Sequence, residues 1–371
     1  MNIKTITCHD VYNAGASLQA YALMKYLEGL GHNVEIIDYK PDYLKHYKLV
    51  GNVSEKYDKP ILSQLYQIRK FPERLKAYLG DKKKNYDLFT SKHLKLTQKK
   101  YCSYDDLKND PPLADVFFAG SDQIWNTVFP NGKDPAFYLQ FAVENSVRAS
   151  YAASFATEKI ENGFQSQIKT WLASLDFISV REKSAVGIIK DLGINKAVRA
   201  ADPVFLIKRD IWEELCGKLD LNEKYILLYD FELNADMLAY AKGISKQTGW
   251  RVYSILPSDN VDRCFVNNGP LDFISLVNNA ELVISNSFHA TAFSLIFERP
   301  FVVFERKEKI NTRMKDLLSE LGLTSRMIDA EGGNKGAWKD EIDFEGLRKV
   351  LNAQIEASKK YIDMVLESVK H

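Results

Sequence analysis

The sequence predicts an α/β protein of two Rossmann-like lobes. The chain opens with an apolar run, a stretch of helical period and a second apolar run, the pattern of a strand, a crossover helix and a parallel strand. The same alternation returns from Tyr225 to Phe304. At 371 residues the chain is too long for one typical domain and fits two.

Composition narrows the class. A hydrophobic content of 46% with 27% charged residues is that of a soluble globular protein. A formal net charge of +1 gives no case for nucleic acid as a partner. No apolar run is long enough to span a bilayer, and no leader is recognisable after Met1, so a cytoplasmic protein is expected. Cys8, Cys102, Cys216 and Cys264 are widely spaced and form no C-x-x-C pair. They are expected to be buried free thiols, and no metal site is expected.

The first lobe, residues 1–207, begins with a strand over 3–8, a helix over 15–30 and a strand over 34–38. The helix is expected to bury one face, through Leu18, Ala22, Leu23, Tyr26 and Leu27. Tyr12 and Asn13 occupy its entry turn, where Asn13 either caps the helix or touches a ligand. Gly15 allows close backbone approach, but there is no G-x-G-x-x-G fingerprint. Residues 41–100 break the rhythm and read as two or three helices rather than sheet. Within them, 69–100 hold 11 basic residues against 3 acidic ones, interleaved with Phe71, Tyr78, Tyr86 and Phe89. This basic insertion either grips an anionic membrane or acidic glycan, or is a solvated element whose lysines lie over aromatic rings.

A strand over 113–119 then runs into Gly120-Ser121-Asp122-Gln123-Ile124-Trp125-Asn126. Amides, a carboxylate and an exposed indole at a strand's carboxyl end suit a sugar: polar groups pair with hydroxyls and the ring stacks on a pyranose face. Strands follow over 147–155 and 177–180, with a helix over 163–175 between them. Arg181 sits where the second of these strands gives way to a helix reaching Leu192, placed to pair with a carboxylate or phosphate. Asp202-Pro203 closes the lobe, and Asp202 is read there as structural.

Residues 208–224 link to the second lobe, residues 208–340. Its strands are expected over 225–228, 251–256, 282–285 and 301–304, and its helices over 235–248, 271–278, 288–297 and 312–321. Residues 341–371 form a long amphipathic helix. The stretch 282–304 is the centre of the chain: strand, the turn Asn286-Ser287, a compact helix opening with His289, and a second strand after Arg299-Pro300. A helix N-terminus at the carboxyl end of a parallel strand holds anions, phosphate above all.

These residues carry a resemblance. Ser285-Asn286-Ser287-Phe288-His289-Ala290-Thr291-Ala292-Phe293-Ser294 resembles a signature of the polysaccharide pyruvyl transferase family, Ser-x-Ser-Phe-His-(Gly/Ala)-Thr-x-Phe-Ser. The turn after the first strand, the 120–126 segment, Val180-Arg181-Glu182 with Ser184, Ala201–Phe205 and the segment 309–318 are similar to further stretches of that family. The resemblance implies a glycosyltransferase B-like fold, with the terminal helix crossing back to the first lobe. It implies phosphoenolpyruvate as donor, a sugar or lipid-linked glycan as acceptor, a pyruvate ketal as product and no separate cofactor. It implies that His289 is catalytic, with Arg181 assisting. Asn286, Ser287, Arg306, Lys309 and Arg313 would bind the donor, and Tyr12, Asn13, Ser121, Asp122, Gln123, Trp125 and Asn126 the acceptor. Part of the family has arginine where Ser287 stands, so Arg306, Lys309 or Arg313 must replace that cation. Two alternatives stay open: a nucleotide-sugar glycosyltransferase of the same fold, with Glu298 or Glu305 as ribose-binding acid, and a non-catalytic glycan-binding module.

Overall fold

Two parallel sheets of matching strand order organise the chain. The structure, a computed structural model, describes residues 1–45, 79–217, 219, 221–307, 311–329 and 333–369. The first sheet contains β1 (Asn2–Ile6), β2 (Asn33–Tyr39), β3 (Leu96–Tyr101), β4 (Val116–Ala119) and β5 (Val147–Ser150) in the order β3-β2-β1-β4-β5. A parallel pair, β6 (Ile178–Val180) and β7 (Ala197–Arg199), continues it through a bridge between Ala149 and Phe177. The second sheet contains β8 (Tyr225–Tyr229), β9 (Arg251–Ser254), β10 (Arg263–Cys264), β11 (Leu282–Ser285), β12 (Phe301–Phe304) and β13 (Met327–Ile328) in the order β10-β9-β8-β11-β12-β13. In both sheets the order reverses beside the first strand, between β1 and β4 and between β8 and β11. Open parallel sheets bind ligands at the carboxyl ends flanking such a point.

The strands β4, β8, β11 and β12 are buried at every position, which their unbroken apolar sequences require of strands covered on both faces. One expectation fails here. Residues 96–101 form the edge strand β3 and not a helix. Its exposed centre is Gln98-Lys99-Lys100, a polar run that protects an edge from further pairing. The part of the basic insertion before residue 79 lies outside the described residues. Its later part is the helix Asp81–His93, which buries Tyr86 and Phe89 and pairs Lys83 with Asp87 at 2.6 Å and Lys84 with Asp81 at 3.3 Å.

The helix Ala14–Gly29 is buried on nearly all sides, not on one face. It carries almost no charge because it lies between the first sheet and the second lobe. Tyr21 meets Trp212 at 5.7 Å, and Trp212 meets Phe293 of the second lobe edge-on at 5.0 Å. The helix Phe344–Glu367 reaches the first lobe: Tyr361 Oη donates to the Ser150 carbonyl at 2.8 Å and Ser358 Oγ accepts from Ala201 N at 2.8 Å. All four cysteines are free, but none is fully buried as expected: Cys8 and Cys216 are partly buried and Cys102 and Cys264 exposed. Cys102 follows the edge strand β3 and Cys264 lies on the short edge strand β10. Among the described residues no helix is long and apolar enough to cross a membrane.

The Tyr361 contact ties the last helix to the end of β5. Tyr361→Phe should lower unfolding free energy by about 1 kcal/mol. Denaturant unfolding should show this as a lower midpoint at unchanged slope.

Candidate active site

The carboxyl ends of the two sheets face each other, and the charged residues between them form one buried cluster. Arg181 follows β6. Its Nη2 lies 2.8 Å from Asp202 Oδ2 and donates to Ser121 Oγ at 2.7 Å. Asp202, fully buried, caps a 3₁₀ turn, Pro203–Leu206, by accepting from Val204 N at 3.1 Å. His289 comes from the other lobe, with Nε2 3.5 Å from Asp202 Oδ2. Asp122 follows β4, and its Oδ1 accepts from Arg313 Nη1 at 3.0 Å and lies 3.7 Å from Arg181 Nη1. The ring of Phe288 supports both guanidiniums, with Cζ of Arg181 at 4.9 Å and of Arg313 at 5.6 Å from its centroid. Such stacking favours a weakly hydrated cation over an aromatic face.

Local sequence explains each placement. Ser287 is the N-cap of the helix Phe288–Ile296: its backbone is extended and its Oγ accepts from Ala290 N at 3.4 Å. His289 therefore stands in the first turn, at the positive end of the helix dipole. Asn286 is fixed beforehand, donating to Asp230 Oδ1 at 2.8 Å and accepting from Phe231 N at 3.0 Å. Asn13 caps the helix Ala14–Gly29, accepting from Ala16 N at 3.3 Å, and also lines the cavity beside His289. Gly15 is required by close approach. A β-carbon there would fall 2.0 Å from His289 Nδ1, so the first-lobe backbone lies directly against the imidazole. Asp122 adopts φ +69°, a left-handed conformation that aspartate tolerates better than most residues.

Electrostatics keeps the two aspartates ionised. Burial pushes the Asp202 carboxyl up, but Arg181 and His289 outweigh burial and bring it down to about 2. Burial likewise raises Asp122, and Arg181, Arg313 and His289 together lower it below the usual carboxylate range. Glu182 differs: burial dominates and raises it, although it accepts from Ser154 Oγ and from Phe155 and Ala156 N–H groups. Burial, with Arg181 as a neighbouring cation, lowers Arg313. Arg181 Nε and Nη1, Arg313 Nε and His289 Nε2 find no hydrogen-bond partner among the described residues. Buried donors of this kind are costly unless something accepts from them.

A cavity of ≈ 90 Å³ opens on this cluster, lined by Asn13, Asp122, Gln123, Asn286, Ser287, His289, Arg306 and Arg313 among others. Several expected site residues are thus together, but others are not. Trp125 is fully buried: its indole N–H donates to the Phe137 carbonyl at 2.9 Å and its ring stacks on Tyr138 at 5.4 Å. It cannot be the exposed platform expected for a sugar. Asn126 is also fully buried and closes its own turn, accepting from Val128 N and donating to Gln123 Oε1. Ser121 has no exposed surface; it donates to the Ala152 carbonyl and orients Arg181. Tyr12 turns toward the helix Asp81–His93, donating to Asp87 at 2.9 Å. Arg306 pairs with Glu232 and lies over Phe231. Lys309 lies outside the described residues.

Sequence reasoning missed Asp202 as the partner of both Arg181 and His289; only its place at a lobe end, before proline, hinted at a fixed position. It missed Gln19, which joins the two strand ends by accepting from Ser121 N at 3.0 Å and donating to Thr7 Oγ1 at 2.9 Å. Of the two acids proposed for a ribose, Glu298 precedes β12 and pairs with Arg209 and Arg348, away from the carboxyl ends. Glu305 follows β12 and pairs with Lys315 at 2.5 Å.

Two outcomes are expected of this geometry. To restore 3.0 Å from an added β-carbon, Gly15→Ala must displace the His289 ring or the helix by about 1 Å, visible in a crystal structure of the variant. Asp202 has a folded pKa of about 2 against an ordinary 3.8. Its stabilisation is therefore complete above about pH 4 and lost as pH falls through about 2, roughly 2 kcal/mol in all. The stability gap between wild type and Asp202→Asn should be largest near neutrality and close over that acid window.

A model of the polysaccharide pyruvyl transferase family matches residues 13–308. A search of curated proteins returns no match. Among solved structures, a putative UDP-N-acetylglucosamine 2-epimerase from Listeria monocytogenes is similar at TM-score 0.52 and 9% identity, over 97% of this chain and 94% of that one. UDP-N-acetylglucosamine 2-epimerase from Rickettsia bellii gives 0.51 and 13%, over 100% and 97%. Arabidopsis thaliana UGT89C1 gives 0.50 and 10%, over 100% and 99%. At such identities the likeness concerns the fold alone, which is glycosyltransferase B-like.

Proposed function

The chain belongs to the polysaccharide pyruvyl transferase family, and from that premise we propose that it moves the pyruvyl group of phosphoenolpyruvate onto two hydroxyls of one sugar. The observation that carries the reading is His289 and Arg313 on the wall of a small cavity at a helix N-terminus, with the buried Arg181 guanidinium behind them on the Phe288 ring. A compact donor with a carboxylate and a phosphate needs cations and N–H groups on more than one side.

The chemistry then runs as follows. The methylene carbon of the donor takes a proton, which leaves C2 electrophilic. One sugar hydroxyl adds to C2, and the bond from C2 to the phosphate oxygen breaks. The second hydroxyl closes the ketal. Of the two hydroxyl protons lost, one balances the proton gained by the methylene carbon and the other leaves with phosphate. His289 is the general acid and base, held in orientation by ionised Asp202 and by the backbone at Gly15. Arg181 and Arg313 hold the donor's anionic groups and stabilise charge developing on the leaving phosphate. Arg313 supplies the cation missing at Ser287, since it is buried against Phe288 beside His289. The acceptor is a sugar of a polysaccharide or of its lipid-linked precursor. Peripheral attachment to an anionic membrane through 69–100 extends the reading, although Lys83 and Lys84 are already engaged with aspartates.

His289→Asn should cut phosphate release from phosphoenolpyruvate by ~10²–10⁴-fold, the usual contribution of a positioned acid or base, without lowering the melting temperature by more than a few degrees. Phosphate release by the folded variant at the wild-type rate would remove His289 from the mechanism. Arg181→Lys keeps the charge and loses the fork, so KM for phosphoenolpyruvate should rise about tenfold while KM for the acceptor stays put. A thermal-shift panel separates the alternatives: stabilisation by UDP-sugars and not by phosphoenolpyruvate would favour a nucleotide-sugar transferase.

A further inference from the structure

Beyond the small cavity the cleft widens into a groove of ≈ 1450 Å³. One wall is first-lobe chain around Thr127 and residues 157–162. The other is second-lobe chain, from Asn234 to Tyr240 and around Arg306. Arg306 lines both groove and cavity, so the two adjoin at that residue, and His289 lies on the cavity wall. The groove exceeds the ~300–1,000 Å³ of ordinary small-molecule pockets, which calls for an elongated occupant.

Its charge is balanced. Among the described lining residues, five are basic and five acidic. Several are already paired: Lys315 with Glu305 at 2.5 Å, Glu161 with Lys133 at 2.6 Å and Arg306 with Glu232. A diphosphate or a polyanionic chain would meet as many carboxylates as cations and lose its hydration for no net attraction. A chain rich in hydroxyls meets no such cost, and Thr157, Asn162 and Asn234 offer neutral polar groups. Tyr240 adds a fixed flat face. Its hydroxyl donates to the Lys335 carbonyl at 3.0 Å and its ring packs edge-on against Phe304 at 5.5 Å, while it remains half-buried on the groove wall. The expected acceptor residues Ser121, Trp125 and Asn126, by contrast, are buried.

We propose that this groove holds an extended, uncharged oligosaccharide segment of the acceptor, with Tyr240 as a stacking platform and the reacting sugar delivered past Arg306 to His289. The proposal rests on the transferase reading above and names the acceptor class: a neutral glycan several residues long.

The test uses the full chain with neutral galacto-, gluco- and manno-oligosaccharides of two to six residues, and UDP as the competing probe. Binding is measured by calorimetry without donor, and the binding surface by hydrogen exchange. Affinity for at least one series should rise with length by about tenfold from two to six residues, with protection over residues 157–162 and 234–240. Tyr240→Ala should abolish that rise and Tyr240→Phe should keep it. Ala239→Trp, which fills the exposed wall, is the second variant should Tyr240→Ala fold poorly, and it too should abolish the rise. Absence of length dependence in every series overturns the proposal, as does protection of the groove by UDP but by no oligosaccharide. Length-dependent binding without phosphate release from phosphoenolpyruvate would leave the groove assigned and overturn only the transferase reading. Phosphate release with short acceptors and no length dependence would do the reverse.

Discussion

The structure depends on one buried charge pair, Arg181 with Asp202. Removing a guanidinium and a carboxylate from water costs several kcal/mol for each ion, and pairing offsets this only with good geometry and further partners. Here the partners come from everywhere in the fold. Ser121 on the β4 turn accepts from Arg181, Val204 N–H serves Asp202, and Phe288 and His289 of the other lobe close the remaining side. The first lobe supplies the pair's hydrogen bonds, and the second lobe covers it with Phe288 and His289. The site and the docking of the lobes are therefore a single energetic unit.

The rest of the interface serves that unit. Asp316 of the second lobe accepts from Lys183 N at 2.6 Å and Ser184 N at 3.3 Å, capping a first-lobe helix across the cleft. Arg199 pairs with Glu320 from the same second-lobe helix. Behind them Tyr21, Trp212 and Phe293 supply the apolar burial that ionic contacts cannot. The helix Ala14–Gly29 has lost its polar face because both lobes cover it. Its glycine at position 15 leaves room for the His289 imidazole of the other lobe.

Periodicity made most of this legible. Apolar runs of four or five residues followed by helical stretches define β8, β11 and β12, and the residues just past strand ends include Asp122, Arg181 and Asn286, with His289 in the helix turn that follows. The pattern could not show which way a polar stretch turns. Residues 120–126 read as a sugar platform because polar and aromatic side chains crowd a strand end. The fold spends most of them inward: Trp125 fills the core and Asn126 closes a turn, which leaves Asp122 and Gln123 at the cavity. Asp202 was illegible for the opposite reason. An acid before proline has an ordinary local explanation, and its partners lie 21 residues back and in another lobe. The edge strand β3 was hidden by its lysines, which mimic a solvated helix face.

Ser287 shows how one residue type redistributes a site. Arginine, found there in part of the family, has no acceptor and cannot cap a helix through its side chain; serine can. With serine, the first turn of Phe288–Ile296 is capped by Ser287 Oγ, and the Ser287 N–H is itself held by Ser285 Oγ at 2.8 Å. Arg313, at the start of the helix Thr312–Glu320, brings a guanidinium to the Phe288 ring from a different element of the same lobe. That helix is the one whose Asp316 and Glu320 reach across the cleft. Arg313 belongs to the same lobe as Ser287, and its guanidinium is fixed from the other side by Asp122 of the first lobe.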